Sequence, residues 1–329
     1  MITNVRIAPT RLGHLNLFVS DLEASTTFYR DVCGFQEVFR EQAISMSFMS
    51  NGKTHHDLGL MEITPGERLG RDGFRQSASK TPGLNHLGFE MRDEQQLVDA
   101  YRRAKRAGIK LSGAEDHQIS RSIYVRDLDG HMLEFYSDSI DDWKGFFDAN
   151  EGLLISGPWD PESGEAQAIS RISSNPQMHK SDSAPLQAKT VAYAGVPVQD
   201  LMASLHYYED VLGLDAVLVN KAEKFAVLQG SAHGGCDVCL VEVDRFPASR
   251  LLFGGVSLHD GNSIDEAITT LARMGVDSTI VGADSHAAVI VCDPDRLPLV
   301  YSSCSALDLL STQGAAVIRE VKRLHESVA

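Results

Sequence analysis

The strongest constraint on the fold is that the chain repeats itself. Residues 12–35 and 191–214 share the same order of apolar, acidic and aromatic positions, and both end in a glycine followed by an apolar residue. Residues 56–63 and 236–243 repeat in the same way at nearly the same separation. A pattern that recurs on this scale in a chain of 329 residues predicts two homologous modules in tandem.

A shorter repeat lies inside the first module, where residues 85–93 echo residues 13–21. Each repeated unit begins with a strand pattern and continues into a helix with an N-cap residue and a terminal glycine. The predicted N-caps are Asp21, Asp93, Asp200 and Ser263, and the predicted end glycines are Gly34, Gly108, Gly213 and Gly275. Short strand-like runs follow each helix, so we predict a βαβ unit with further strands, used four times.

These repeats divide the chain into four segments. Residues 1–147 form a first module, which carries the candidate site, and residues 189–305 form a second, degenerate module without a metal. Residues 148–188 are rich in Gly, Pro, Ser and Glu, and we predict a linker that wraps the surface. Apolar positions after residue 305 predict an amphipathic helix over 306–329, which packs on the body or, alternatively, binds a partner.

Composition narrows the partners and the compartment. The formal net charge of −15 disfavours binding to the phosphates of nucleic acids. No apolar run approaches the roughly 18 residues that a membrane span requires, and residues 1–6 lack the apolar core of a secretory signal. The five cysteines are odd in number and irregularly spaced, and we interpret Cys236 and Cys239 as structural. Such cysteine usage indicates a reducing compartment, so we expect a cytoplasmic protein.

Three strands of the first module carry a possible metal ligand between apolar neighbours, namely His14, His86 and Glu134. Side chains alternate between the faces of a strand, so the apolar neighbours can pack on the helices while these three face the concave side. Two imidazoles and one carboxylate on one face are the ligands of a facial non-haem Fe(II) site, which leaves coordination positions open for substrate and O2.

The second module provides an internal comparison for these three positions. We align them with residues that do not bind metals: Tyr193 for His14, Val300 for Glu134, and Gly254 or Gly255 for His86. A residue that the fold requires would be kept in both copies. The presence of the three ligand types in one copy therefore indicates function.

These residues resemble the vicinal oxygen chelate superfamily and, within it, the type I extradiol ring-cleavage dioxygenases. The signature of that family runs from a His through an apolar–Tyr pair to the ligand Glu, and it is matched here by His117, Ile123, Tyr124 and Glu134. A second element, a His-His pair that opens a strand, is matched by residues 55–56.

The chain departs from the family pattern at three points. Leu128 stands where the family usually has Pro, and Glu115 replaces a small or apolar residue two positions before His117. Two-module members mostly place the metal in the second module, whereas this chain places it in the first.

The resemblance implies a fold and an activity. The fold is α+β, with two tandem modules, each a pair of βαβββ units that form a half-open mixed β-barrel with helices outside. The activity is that of a dioxygenase that uses Fe(II), with Mn(II) as the alternative metal. It opens the ring of a catechol-type substrate with O2 and gives a semialdehyde. We also expect a homo-oligomer.

The resemblance assigns roles to three further side chains. His56 would face the O2 side and take part in proton transfer, His117 would hydrogen-bond a substrate oxygen near the mouth of the site, and Tyr124 would hydrogen-bond the phenolate of the substrate. Because His55 and His56 are adjacent, we expect only one of them, His56, to face the cavity.

Two other functions are considered on the same residues. A redox-neutral enzyme of the superfamily, such as a glyoxalase-like lyase, an epimerase or a thiol transferase, needs a metal but not His56, His117 and Tyr124 together. A binding protein that has lost its metal needs none of the three ligand residues. The sequence therefore favours the dioxygenase. The other histidines share no spacing, and among them we expect His131 at the surface.

Overall fold

A computed structural model describes residues 5–63, 68–69, 75–76, 81–150, 154 and 156–327. The elements of the first half are β1 (Arg11–Val19), α1 (Leu22–Asp31), β2 (Gln36–Glu41), β3 (Met46–Ser50), β4 (Leu58–Glu62), β5 (Arg68–Leu69), β6 (Arg75–Gln76), β7 (Gly83–Glu90), α2 (Glu94–Arg106), β8 (Leu111–Asp116), β9 (Ser120–Arg126), β10 (Met132–Asp138), α3 (Trp143–Asn150) and β11 (Gly157–Pro158).

The elements of the second half are β12 (Ala188–Val198), α4 (Leu201–Tyr207), β13 (Asp215–Asn220), β14 (Phe225–Gln229), β15 (Val238–Glu242), β16 (Phe253–Leu258), α5 (Ile264–Arg273), β17 (Ser278–Val281), β18 (Ala288–Cys292), β19 (Pro298–Ser302) and α6 (Ala306–Glu326). A π-helical turn, Tyr208–Leu212, extends α4. The helix predicted over 306–329 is thus observed as α6, while residues 328–329 lie outside the described part of the chain. None of the described helices combines the length and apolar character that crossing a bilayer requires.

The strands form two large mixed sheets. The first has nine strands in the order β11-β8-β9-β10-β7-β1-β4-β3-β2, and the second has eight in the order β13-β14-β15-β12-β16-β19-β18-β17. In both, an antiparallel central pair is flanked on each side by a parallel neighbour. Over the described residues the outer strands of each sheet do not pair with each other, so neither sheet closes. The predicted α+β fold with two tandem modules of mixed strands is confirmed.

The predicted helix boundaries are also confirmed. Each predicted N-cap side chain accepts a hydrogen bond from a backbone N–H three residues later, as a cap must to satisfy the first turn. The four end glycines have φ between +72° and +88°, a conformation that favours glycine. Helix α3 was not predicted.

The two modules are joined by reciprocal hydrogen bonds between buried groups. Tyr29 of the first module donates to Asp293 of the second over 3.0 Å, and Tyr208 of the second donates to Asp127 of the first over 2.9 Å. Both tyrosines are completely buried. Asp127 also accepts from the ring of His131, which is 3% exposed. The expectation that His131 lies at the surface is therefore wrong, because the second module covers this turn.

A second reciprocal pair lies closer to the central strands. The backbone N–H of Leu12 donates to Asp237 over 2.6 Å, and the backbone N–H of Val191 donates to Asp57 over 3.0 Å. Asp57 and Asp237 occupy equivalent positions of the two modules, as do Leu12 and Val191. The apolar residues of both modules form one continuous buried cluster around these contacts. Each module thus contributes buried hydrogen-bond partners and apolar contacts to the interior of the other.

The Asp293 contact predicts a pH dependence of stability. Burial raises the pKa of Asp293 to about 7, whereas an unfolded Asp titrates near about 3.9. The folded protein therefore holds more protons in this window, and the contribution of Asp293 to the free energy of unfolding falls as pH rises from about 4 to about 7. Relative to Asp293→Asn, which resembles the protonated carboxyl, the wild-type protein should lose up to about 1.4 kcal/mol per pH unit there.

Urea unfolding of both proteins at about pH 5 and about pH 7 measures this difference. The expected result is that Asp293→Asn gains stability relative to the wild-type protein at the higher pH. If the two proteins differ in free energy of unfolding by the same amount at both pH values, Asp293 is ionised in the folded protein at both.

Candidate metal centre

Three neighbouring strands place the predicted ligands together. Strands β1, β7 and β10 are adjacent, and both His14 and Glu134 pair with Gly88 in the register of the sheet. The Oε2 atom of Glu134 lies 2.9 Å from Nε2 of His14 and 3.0 Å from Nε2 of His86, and the two Nε2 atoms are 3.3 Å apart. In the described part of the chain this is the one group of three such side chains that could share an ion.

These separations suit a facial ligand set. Metal–ligand bonds of about 2.1 Å place adjacent octahedral ligands about 3.0 Å apart and tetrahedral ligands about 3.4 Å apart. Both contacts of the carboxylate match the octahedral value, and the 3.3 Å between the two Nε2 atoms lies between the two values. Gly88 is required between them, because a Cβ atom at this position would lie 2.1 Å from the His14 ring. The donor set and its spacing fit a divalent metal with open coordination positions.

The ionisation of His14 and Glu134 is also suitable for metal binding. Burial lowers the pKa of His14 to about 4, so its imidazole is neutral at pH 7. Burial alone would raise the pKa of Glu134, but the charge of His86 and the hydrogen bonds from both histidines hold it well below its ordinary value. A neutral imidazole and an ionised carboxylate are the forms that bind metals.

The second oxygen of Glu134 is held by a hydrogen-bond chain. Ser122 donates to Oε1 over 2.5 Å and Tyr124 donates to it over 2.9 Å. The Tyr124 hydroxyl is in turn 2.9 Å from Nε2 of His117, and Nδ1 of His117 is 2.7 Å from the hydroxyl of Ser156. Such partners orient a ligand carboxylate and fix its charge. Burial raises the pKa of Tyr124 well above its ordinary value, so its hydroxyl stays a donor.

Two residues of this hydrogen-bond chain, Ser122 and Ser156, were missed by the sequence analysis. Ser122 precedes Tyr124 by two positions on β9 and therefore faces the same side, so the strand period could have identified it. Ser156 lies in the segment 148–188 that was predicted to be a surface linker. No local pattern marks Ser156, because its role depends on β11 pairing with β8.

The adjacent histidines occupy different places beside the ligands. The His56 ring lies 4.0 Å from the His14 ring and stacks on Phe48 at 4.1 Å with an interplanar angle of 7°. Within the described residues neither ring nitrogen of His56 has a hydrogen-bond partner, although the side chain is buried. Nδ1 of His55 lies 2.9 Å from Asp138. Contrary to expectation, both histidines border the cavity, because residues 51–57 form a turn in which side chains do not alternate.

A cavity of about 710 Å³ opens in front of the ligands. All six residues predicted for the site line it, namely His14, His56, His86, His117, Tyr124 and Glu134. Residues distant in sequence thus form one pocket large enough for a small organic molecule.

Apolar side chains fill the concave face of the second module that corresponds to the cavity of the first. The register pairs Gly255 with both Tyr193 and Val300, as Gly88 pairs with His14 and Glu134, so Phe253 stands where His86 does. The alignment of His86 with Gly254 or Gly255 is therefore wrong, because the two modules differ in the length of chain before this strand. Helix α6 packs on these residues through its apolar face, which includes Leu310, Val317 and Ile318.

Comparison with known families finds a match for the first module. The model of the glyoxalase/bleomycin resistance protein/dioxygenase superfamily matches residues 11–135, which include the three ligand strands. The first module is therefore similar to this superfamily over most of its length. The match ends one residue after Glu134, so the superfamily's region contains the whole candidate ligand set.

Curated relatives in the superfamily have more than one activity. Biphenyl-2,3-diol 1,2-dioxygenase 3 of Rhodococcus globerulus is 31% identical over 129 residues, which cover 39% of this chain and 64% of that protein. Catechol-2,3-dioxygenase of Bacillus subtilis is 26% identical over 209 residues, which cover 63% of this chain and 66% of that protein. The chain thus matches just under two thirds of the length of either relative. Fosfomycin resistance protein FosX of Listeria monocytogenes is 27% identical over 135 residues, which cover 40% of this chain and 92% of that protein.

Solved structures show the same fold over most of the chain. The 2,3-dioxygenase LapB from Pseudomonas sp. KL28 has a TM-score of 0.62 at 15% identity and covers 89% of this chain and 92% of its own. The Mn(II)-bound glyoxalase from Novosphingobium aromaticivorans has a TM-score of 0.60 at 13% identity and covers 90% of this chain and 83% of its own. The tandem arrangement of two such modules is therefore shared with other members of the fold.

Proposed function

We propose that the protein is an Fe(II)-dependent extradiol dioxygenase, with Mn(II) as the alternative metal, that opens the ring of a catechol-type substrate with O2 to a semialdehyde. The observation that carries this proposal is the combination of a facial His14–His86–Glu134 set with His56 and Tyr124 in one cavity. The similarity to two catechol-type dioxygenases supports it. In this reaction a ring carbon–carbon bond next to the diol breaks, and both atoms of O2 enter the product.

The residues of the chain supply positioning and proton transfer. A bound ferrous ion would bring a catechol and O2 together and transfer electron density between them. The Tyr124 hydroxyl donates to the ligand carboxylate, and with substrate bound it would turn its one proton to a substrate oxygen beside that carboxylate. His117 lies behind Tyr124 and extends the hydrogen-bond chain towards the mouth of the cavity. His56, with free ring nitrogens on the other side of His14, is placed to accept and return a proton.

A redox-neutral reaction is the second candidate, because the similarity to FosX extends over 92% of that protein. Such a reaction also needs the metal, but it does not need an imidazole beside the ligands together with a phenol donor on the opposite side. The presence of His56 and Tyr124 on two sides of one ligand set favours the dioxygenase.

Tyr124→Phe tests the role of the phenol without removing a ligand. The variant is expected to keep its metal, because Ser122 still holds Glu134, and to lower kcat by about 10²-fold through loss of one donor to developing charge. Metal content and O2 uptake measured on the same preparation separate the two effects. Turnover at the wild-type rate would exclude Tyr124 from the reaction.

Oxygen consumption across a panel of catechols tests the function itself. Protein purified without air and reconstituted with Fe(II) should consume one O2 for each catechol and form a yellow product. If O2 stays constant with every catechol while the protein retains iron, ring cleavage is excluded and the redox-neutral alternative is favoured.

A further inference from the structure

One wall of the cavity is apolar and wider than the diol itself requires. Six apolar residues line it: Ile44, Met46, Phe48 and Met61 from β3, β4 and the turn before β3, Ile119 from the turn between β8 and β9, and Leu154 from the segment after α3. They contact one another in a separate apolar cluster that is not part of the main core. Cavities of about 300–1,000 Å³ hold drug-sized ligands, so a bare catechol would leave much of the 710 Å³ empty.

The mouth of the cavity carries a carboxylate that the proposed reaction does not use. Glu115 lines the cavity, its side chain is 47% exposed, and Oε2 lies 3.6 Å from Nε2 of His117. Glu115 is one of the three departures from the family pattern. Among the described residues that line the cavity there is no Arg or Lys.

Among the described residues of the cavity, an acidic substituent therefore meets no Arg or Lys cation. Against the apolar wall its carboxylate would lose hydration. It would also approach the buried carboxylate of Glu41, which lines the cavity and accepts from the backbone of Leu154. At the mouth it would lie beside Glu115, and like charges at such distances repel. An apolar substituent meets neither penalty, and it gains by leaving water for the wall.

We propose that the site takes catechols whose ring substituent is apolar and uncharged, and that Glu115 is the residue that excludes acidic catechols. This inference rests on the proposed dioxygenase function for the catechol part of the substrate. It adds the chemistry of the substituent and a specificity-determining residue.

A matched pair of compounds tests the inference, namely 3,4-dihydroxyphenylacetate and its methyl ester. Their dissociation constants are measured without O2 on Fe(II)-loaded protein, so binding is observed whether or not the ring is cleaved. The ester should bind at least about tenfold more tightly than the acid. In Glu115→Gln, which keeps the side-chain shape, the ratio should fall by at least about threefold, and added salt should reduce the wild-type ratio.

Asp99→Asn is the matched control, because Asp99 lies on the outer helix α2, half-exposed, and pairs with Arg102. It removes the same charge from the protein and should leave the ratio within about twofold. An uncharged series of 4-alkylcatechols gives a second reading, in which each buried methylene should tighten binding by about three- to fourfold.

The possible results are distinguishable. Equal binding of acid and ester, a ratio that Glu115→Gln does not change, or no binding of either compound would overturn the inference. Selective binding of the ester that is followed by no O2 uptake would support the inference about the substituent and contradict ring cleavage.

Discussion

Replacing His14 or Glu134 with alanine is expected to abolish metal retention. The two side chains supply ligand atoms that lie 2.9 Å apart, and both are buried, so each variant loses one of the three atoms that would hold the ion. Loss of a residue that merely supports a ligand lowers metal affinity by about 10–100-fold, and loss of a ligand should exceed that. Metal analysis after gel filtration should find about one ion per wild-type chain and less than about a tenth of that in either variant.

His206→Ala is the matched control for this experiment. His206 is an exposed imidazole on α4 in the second module, and its removal should leave the metal content unchanged. Far-ultraviolet circular dichroism establishes that each variant is folded. Stoichiometric iron in folded His14→Ala or Glu134→Ala would refute the ligand assignment.

Asp237→Ala is expected to lower the free energy of unfolding by about 3 kcal/mol, although the residue is in the second module. Its carboxylate accepts from the backbone of Leu12, in the first module, and of Gly230, in the second. Both N–H groups are buried, and alanine would leave them unpaired. Urea denaturation measures the loss of stability. Asp244→Ala is the control, because Asp244 is exposed in the same module, and it should change the free energy of unfolding by less than about 0.5 kcal/mol.

A change below about 1 kcal/mol in Asp237→Ala would show that water replaces the carboxylate and that the reciprocal contacts do not hold the modules together. With the expected result, the second module has a physical role that needs no metal. It buries the strand that carries His14 and contributes the partners of Tyr29 and Asp57.

The sequence was sufficient for the features that depend on local periodicity. Strand alternation placed His14, His86 and Glu134 on one face, and the cap residues placed the helix ends. The comparison between modules was informative because a repeat carries its own control. The inferences about strand faces and helix ends hold because each depends on neighbours one to four residues away.

The remaining features depend on contacts between distant segments. The burial of His131 requires Tyr208 of the other module, and the position of Ser156 requires a strand added from the linker. The equivalence of Phe253 with His86 required the observed strand register. The amphipathic pattern of α6 does not identify the surface that the helix covers. Its packing on the apolar residues of the second module's concave face could therefore not be predicted from the sequence.

The central claim is that one divalent metal is held by two imidazole nitrogens and one carboxylate in the first module. Anomalous scattering at the iron edge from crystals grown anaerobically with Fe(II) tests it most directly. We predict one peak per chain, in bonding contact with Nε2 of His14, Nε2 of His86 and the carboxylate of Glu134. A peak elsewhere, or none in front of these side chains, would contradict it.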